Sequence, residues 1–324
     1  MMSSQNYAGI DIAKRSFVIG IRGKDKTKTE TNNPKGFEHT VQYLQKHQVG
    51  LVVLESTGGL EIPLDKTLHQ SGFRVVIANP RFTKKFSESF SLSKTDHPDA
   101  KMLADYAQAL DSRGLAKDML YAPPGEAEEK LEALVKRRSQ LVEIRAGEKN
   151  RLEQIHASQR QSVEELIAHL DKLIAGLDKE IDQNSKDFGG KGKVLTDIKG
   201  VGINTGATLL AMLPEPGSVP HKRIAMPAGV VPPKQQSGDT DKKVGCTGGR
   251  MAVRNALYMA TLVASRYEPQ IKAFYERLRQ RGRPFKVAIN ACMHKLLRIL
   301  NARMRDYLES QRSDNAAADR PQCA

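Results

Sequence analysis

Residues 7–22 read YAGIDIAKRSFVIGIR. Two short runs of β-forming, largely apolar residues, Tyr7 to Ala13 and Phe17 to Arg22, are separated by the charged pair Lys14-Arg15, which is the pattern of adjacent strands joined by a tight turn. A polar run, TKTETNN at 27–33, follows as a third strand. Asn33-Pro34 then opens a helix-period stretch through Phe37, Val41 and Leu44. GLVVLES at 50–56 is a compact apolar run suited to a sheet interior, and RVVIANP at 74–80 is another, with a helix from Ile62 to His69 between them. The predicted order is β-β-β-α-β-α-β-α.

That is the order of the ribonuclease H-like fold, and two carboxylates interrupt its otherwise apolar strands. Asp11 lies in the first strand and Glu55 ends the run from Leu51 to Leu54. A charge there is costly to bury unless it is paired or coordinates a cation. A salt bridge to Lys14 is the structural alternative for Asp11, and Glu61 competes with Glu55 for the glutamate role. Farther on, SLSKTDHPDAKMLA at 91–104 sets Asp96 and Asp99 three residues apart where a loop becomes a helix. Pro98 suits the first helical turn. Taken alone, the two aspartates read as helix caps. Together with Asp11 and Glu55 they make a set of four hard oxygen ligands suited to Mg²⁺, with Mn²⁺ as an alternative.

The chain has 324 residues with 51 Lys and Arg against 37 Asp and Glu, a formal charge of +14. It is long enough for more than one domain, and its excess of positive charge suits a polyanion such as nucleic acid. Cys246, Cys292 and Cys323 have neither disulfide nor zinc-ligand spacing. With no signal-peptide core and no apolar run of membrane-spanning length, a cytoplasmic protein without a membrane partner is expected.

After Tyr121-Ala122-Pro123-Pro124 comes a charged segment, roughly 126–183, with leucines and isoleucines at steps of three and four, especially from Leu166. The spacing predicts a coiled-coil seam, as one continuous helix or as a two-helix hairpin, serving either as an oligomerisation arm or as an intramolecular bundle. KVLTDIKGVGINTGATLLAMLPE at 193–215 predicts a helix-hairpin-helix element. Lys199, Gly200, Gly202 and Thr205 at its turn are candidate phosphate contacts. Ser237 lies in a polar loop ahead of a helix through Val253 and Leu257, and a loop serine is ordinarily just solvated. Lys234 and Arg254 flank it as further candidate nucleic-acid contacts. From Ile271 to Leu308 the chain is basic and helical, and from Ser313 its composition predicts disorder.

In this order the motifs resemble the insertion-sequence 110 family of transposases, a family that includes Piv-like invertases and bridge-RNA-guided recombinases. YAGIDIAK, VVLESTGG and SKTDHPDAKMLA match the family's RuvC-like Asp, Glu, Asp, Asp tetrad at Asp11, Glu55, Asp96 and Asp99. AGVVPPKQQSG at 228–238 resembles the segment carrying its nucleophilic serine, which maps onto Ser237. The chain departs from the family pattern at Gly229-Val230-Val231-Pro232 and at Cys246-Thr247-Gly248-Gly249-Arg250.

The resemblance implies an α/β RuvC-like catalytic domain (1–115), central coiled-coil helices (116–190), a mainly α transposase domain with the helix-hairpin-helix and serine loop (191–312) and a tail (313–324). It implies Mg²⁺-assisted cutting and rejoining of donor and target DNA by Ser237. It also implies a bridge RNA as guide and assembly as a dimer or tetramer. The absence of Trp and the 5% aromatic content argue against base-stacking platforms and suit a guide. The alternative is a RuvC-like, metal-dependent, structure-selective endonuclease.

Overall fold

A computed structural model describes residues 6–90, 99–221, 223–231, 236–237, 240–241, 245–246 and 248–318. The chain divides into two compact units, Met1–Pro124 and Gly125–Ala324.

In the first unit a five-stranded sheet has the order β3-β2-β1-β4-β5, formed by β1 (Asn6–Ile12), β2 (Ser16–Ile21), β3 (Lys28–Thr31), β4 (Val49–Glu55) and β5 (Arg74–Ala78). The first three strands pair antiparallel, as short turns between them require. β4 runs parallel to β1, and β5 parallel to β4. Order and direction are consistent with a ribonuclease H-like domain. Helix α1 (Pro34–Lys46) starts where the side chain of Asn33 accepts a hydrogen bond from the Gly36 N–H and Pro34 fills the first turn. With α2 (Ile62–Gln70) it covers one sheet face, where Phe37, Leu44, Leu64 and Leu68 meet Ala8, Ile10, Ile12, Val52 and Leu54. Helices α3 (Pro80–Phe90) and α4 (Asp99–Ser112) follow. Leu103, Ala107 and Leu110 of α4 cover Leu51 and Val53 on the opposite face.

The second unit begins with α5 (Glu126–Gln154) and α6 (Arg160–Ser185). The reversal between them makes an antiparallel hairpin, the second of the two arrangements the sequence left open. Leu141 packs with Leu170 and Ile174 in its seam. Ion pairs from Arg138 to Asp178 and from Arg145 to Asp171, both 2.5 Å, tie its sides. Two short helices, α7 (Gly190–Thr196) and α8 (Ile203–Met212), are joined by residues 197–202. A two-stranded hairpin, β6 (Gln236–Ser237) and β7 (Thr240–Asp241), precedes α9 (Met251–Tyr267), α10 (Pro269–Gln280) and α11 (Phe285–Ala318). These last helices share a core with α7, α8 and the start of α5, built on Leu131, Leu209, Leu257, Ile271, Leu296 and Leu300. Helix α11 corrects one expectation: residues 313–318 are helical, because Ala316, Ala317 and Ala318 favour helix and extension of a helix already nucleated upstream is easy. Residues 319–324 of the expected tail lie outside the described residues.

Among the described residues no helix is long and apolar enough to cross a membrane. Cys246 and Cys292 are free thiols, and Cys323 lies outside the described residues.

Candidate functional site

Alternation along β1 sends Ala8, Ile10 and Ile12 to the α1–α2 face and leaves Tyr7, Gly9 and Asp11 on the α4 face. Glycine at position 9 lets the helix lie directly on the strand. A Cβ there would stand 2.3 Å from the Ala100 carbonyl oxygen and 2.4 Å from the Ala104 nitrogen, and one at Gly20 would stand 2.7 Å from Ala100. α4 runs antiparallel to β1. Near its C-terminal end Asp111 accepts from the Tyr7 hydroxyl at 3.1 Å and pairs with Arg74 at 2.7 Å. Its first residue, Asp99, therefore comes over the end of β1 where Asp11 stands.

In the parallel pairing Gly9 faces Val53 and Ile10 faces Leu54, so Asp11 and Glu55 sit side by side at the carboxyl ends of β1 and β4. Glu55 follows Val53 onto the α4 face. Asp11 is half-buried. Burial first, then the negative charges of Asp99 and of Glu55, hold its carboxyl above the ordinary value, against a hydrogen bond from the Ile12 N–H. None of the three forms a salt bridge among the described residues, and the Lys14 alternative is not realised. Asp96 lies outside the described residues. Among the described residues no group of three His, Cys, Asp or Glu is drawn together tightly enough to hold an ion, but the donor set, hard carboxylate oxygens converging without a cationic partner, fits a divalent cation.

The competition between Glu55 and Glu61 has a geometric answer. Glu61 is 4% exposed and spends its carboxylate on the Ser56 hydroxyl (3.2 Å), the Thr57 hydroxyl (2.9 Å) and the N–H groups of Thr57 (3.2 Å) and Gly59 (2.9 Å). Burial opposes its charge, yet those donors and its own backbone N–H outweigh the burial and hold it below the usual range. It organises the loop after β4. Glu55 accepts one bond, at 2.6 Å, from the buried Thr83 hydroxyl of α3, a support that sequence reading missed. Asp65, also missed, is fully buried on α2 with neither oxygen hydrogen-bonded. Burial, and then the Glu61 charge, push it to about 8.

In the second unit Ser237 pairs with Thr240 in the β6–β7 hairpin. On either side of the serine segment two glycine turns cross and form its base: Gly229 and Gly249 both have a φ of +66°, and a Cβ on Gly249 would be 2.3 Å from the Gly229 nitrogen. One guanidinium nitrogen of Arg254 donates to the carbonyls of Gly229 (3.1 Å), Cys246 (3.3 Å) and Gly248 (3.1 Å). Asn290 donates to the Val230 carbonyl at 3.1 Å and accepts from the Cys246 thiol at 3.4 Å. Arg254 is thus a clamp on the loop's base, a role with no signature in the sequence.

Of the other expected nucleic-acid contacts, Lys199 is exposed. Gly200, with φ +104°, is used against α9, since a Cβ would meet the Ala260 oxygen and Ala264 nitrogen at 2.7 Å. Gly202 is open and caps α8 without a side-chain partner. Thr205 is half-buried, and Lys234 lies outside the described residues.

Two family models match the chain: one described as a transposase, of the IS110 DEDD type, over residues 8–157, and one described as the transposase IS116/IS110/IS902 family over 192–276. The pilin gene-inverting protein of Moraxella lacunata is 30% identical over 319 residues, covering 93% of this chain and 96% of its own length. The chain belongs to the IS110 family of transposases. The Moraxella bovis pilin gene-inverting protein matches to the same extent. An uncharacterized 43.6 kDa protein of insertion element IS110 from Streptomyces coelicolor is 28% identical over 115 residues, 35% of this chain and 28% of that protein. Membership of the IS110 family makes the protein a transposase or DNA recombinase with DNA as its substrate. The first model ends just past α5 and the second within α10, so between them they take in the sheet, with Asp11 and Glu55, and the Ser237 hairpin.

Proposed function

We propose that this IS110-family transposase cuts and rejoins DNA strands through Ser237, assisted by a divalent cation, Mg²⁺ or Mn²⁺, held by Asp11, Glu55, Asp96 and Asp99. The observation that carries the reading is that Asp11, Glu55 and Asp99 come to one sheet end with no salt-bridge partner among the described residues. Bound there, the cation would neutralise charge building on the phosphoryl group in transfer. The Ser237 Oγ attacks phosphorus, the bond from phosphorus to one bridging oxygen breaks, the serine proton leaves to solvent or a carboxylate, and the displaced strand end takes up a proton as a free hydroxyl. The phosphoserine ester keeps the energy of the broken bond, so a second strand's hydroxyl reverses the step without ATP. In this reading 1–115 supplies the carboxylates and 191–312 the nucleophile.

The rigid base of the serine loop supports a positioned nucleophile. The open Gly202 end of α8 supports a helix-hairpin-helix phosphate contact with Lys199 and Thr205 beside it. Segment 116–190 is read as an oligomerisation arm of coiled-coil type, supported by Ile144, Leu166 and Leu173 left exposed on the α5–α6 hairpin. A dimer or tetramer guided by a bridge RNA completes the reading, and the scarcity of aromatic side chains supports delegating target choice to base pairing.

The test is incubation with Mg²⁺, element RNA and labelled donor and target DNA, followed by denaturing electrophoresis. A protein–DNA adduct is expected in the wild type and absent in Ser237→Ala and Asp11→Asn. Cleavage that survives Ser237→Ala without any adduct would replace the proposal by the metal-dependent endonuclease, a reading favoured by the carboxylates Asp11, Glu55 and Asp99 lying within one compact unit.

A further inference from the structure

Beside the serine loop, α10, α11 and the segment before the loop enclose a cleft of about 930 Å³. Its wall on α11 is a single stripe, from Val287 through Asn290, Ala291, His294, Arg298 and Ala302 to Arg305, the spacing of one helix face. Arg277, Lys295, Arg298 and Arg305 line the cleft with His221 and His294, and among the described residues no Asp or Glu does. Arg298 and Arg305 have no carboxylate partner among the described residues. Phe274 braces the remaining pair: the Lys295 ammonium stands 4.9 Å and the Arg277 guanidinium 5.3 Å from its ring centroid. Lys295 is further fixed by donating to the Gln270 carbonyl at 2.9 Å.

A concave wall of positioned cations without counter-charge suits a polyanion. The α11 stripe is about 27 Å long at 1.5 Å per residue, the length of roughly eight nucleotides of a duplex strand at about 3.4 Å each. Val230 and Val231 form part of the lining, and Asn290 bonds both the Val230 carbonyl and Cys246. The cleft therefore reaches Val230 and Val231 on one side of the Ser237 segment, and its lining residue Asn290 bonds Cys246 on the other. We infer that this cleft seats the phosphodiester backbone of the DNA substrate and leads it to the Ser237 loop. The inference rests on the reading of Ser237 as nucleophile for its purpose, but not for its test.

The experiment compares the full chain with the triple variant Arg277→Gln, Arg298→Gln, Arg305→Gln. The control removes the same charge outside the cleft, from α10 (Lys272→Gln), from the residue that ends it (Arg281→Gln) and from α11 (Arg303→Gln). Equilibrium binding to a short random-sequence duplex is measured over a range of salt, and in parallel to a single-stranded RNA of the same sequence. All three proteins are first matched by circular-dichroism melting. The cleft variant is expected to lose at least about tenfold in DNA affinity and to lower the slope of log K against log salt by about 2 to 3, near 0.9 per phosphate contact. The control should change either quantity by less than half as much, and RNA binding should fall less than DNA binding. Equal effects of the two triple variants, an unchanged slope, or a loss on RNA as large as that on DNA would overturn the inference. No cleavage is needed, so a failed adduct assay and a failed binding assay are separate results.

Discussion

Asp65 is the residue whose environment fits its chemistry least. Its pKa stands at about 8 against an ordinary 3.8, so the neutral acid is the folded form at neutral pH. Below about pH 4 both folded and unfolded chains hold the proton and the residue costs nothing through ionisation. As pH rises toward 8 only the unfolded chain ionises, and stability falls across that window. Asp65→Asn should remove this slope, leaving the first unit little changed near pH 4 but more stable at about pH 7 by on the order of 4 kcal/mol. Urea unfolding at the two pH values checks it. Thr83 makes the complementary case. Its hydroxyl gives Glu55 a 2.6 Å bond and also reaches the Pro80 carbonyl. On the proposed metal role of Glu55, Thr83→Val should weaken Mn²⁺ binding about tenfold while costing roughly 1 kcal/mol of stability. Calorimetric titration with Mn²⁺ reads the first and denaturant unfolding the second.

At the scale of elements, the contact of α4 with β1 determines the carboxylate geometry. Gly9→Ala puts a methyl where Ala100 and Ala104 backbone already stand, and backbone cannot step aside as a side-chain tip can. The helix must lift, carrying Asp99 away from Asp11. The expected cost is about 2–3 kcal/mol from overpacking, together with a marked loss of divalent-cation affinity, read by urea unfolding and calorimetry. The serine loop has the same logic in another material. Crossed glycine turns and the Arg254 clamp stiffen its base, while among the described residues the hairpin pairs Gln236 with Asp241 and Ser237 with Thr240.

Across the whole molecule, the cores are separate. Among the described residues the sheet's two faces are packed within the first unit, and the large helical core draws on residues of the second. Calorimetry should therefore resolve two unfolding transitions. Gly9→Ala should lower one by several degrees and leave the other within experimental error, since each unit buries its own apolar surface.

How much was legible in the sequence follows from what each signal depends on. Strand order was readable because alternation, turn residues and apolar runs are local, and YAGIDIAK and GLVVLES carry them undiluted. Asp11 and Glu55 stood out because a carboxylate in an apolar run violates a local rule that only a partner or a cation can excuse. Lys199, Gly200, Gly202 and Thr205 were read as phosphate contacts from spacing alone; the packing of Gly200 onto α9, 60 residues away in sequence, was not legible there. The local sequence determined which residues form strands and helices and which of them are out of place. Only tertiary packing decided that Glu61 rather than Glu55 is used up by its own loop, that Thr83 supports Glu55, that Arg254 holds three carbonyls and that Arg298 and Arg305 line a cleft beside the serine loop. The physical reason is range: propensity and periodicity act within a few residues, whereas hydrogen-bond satisfaction and charge burial depend on groups that folding brings together from distant parts of the chain.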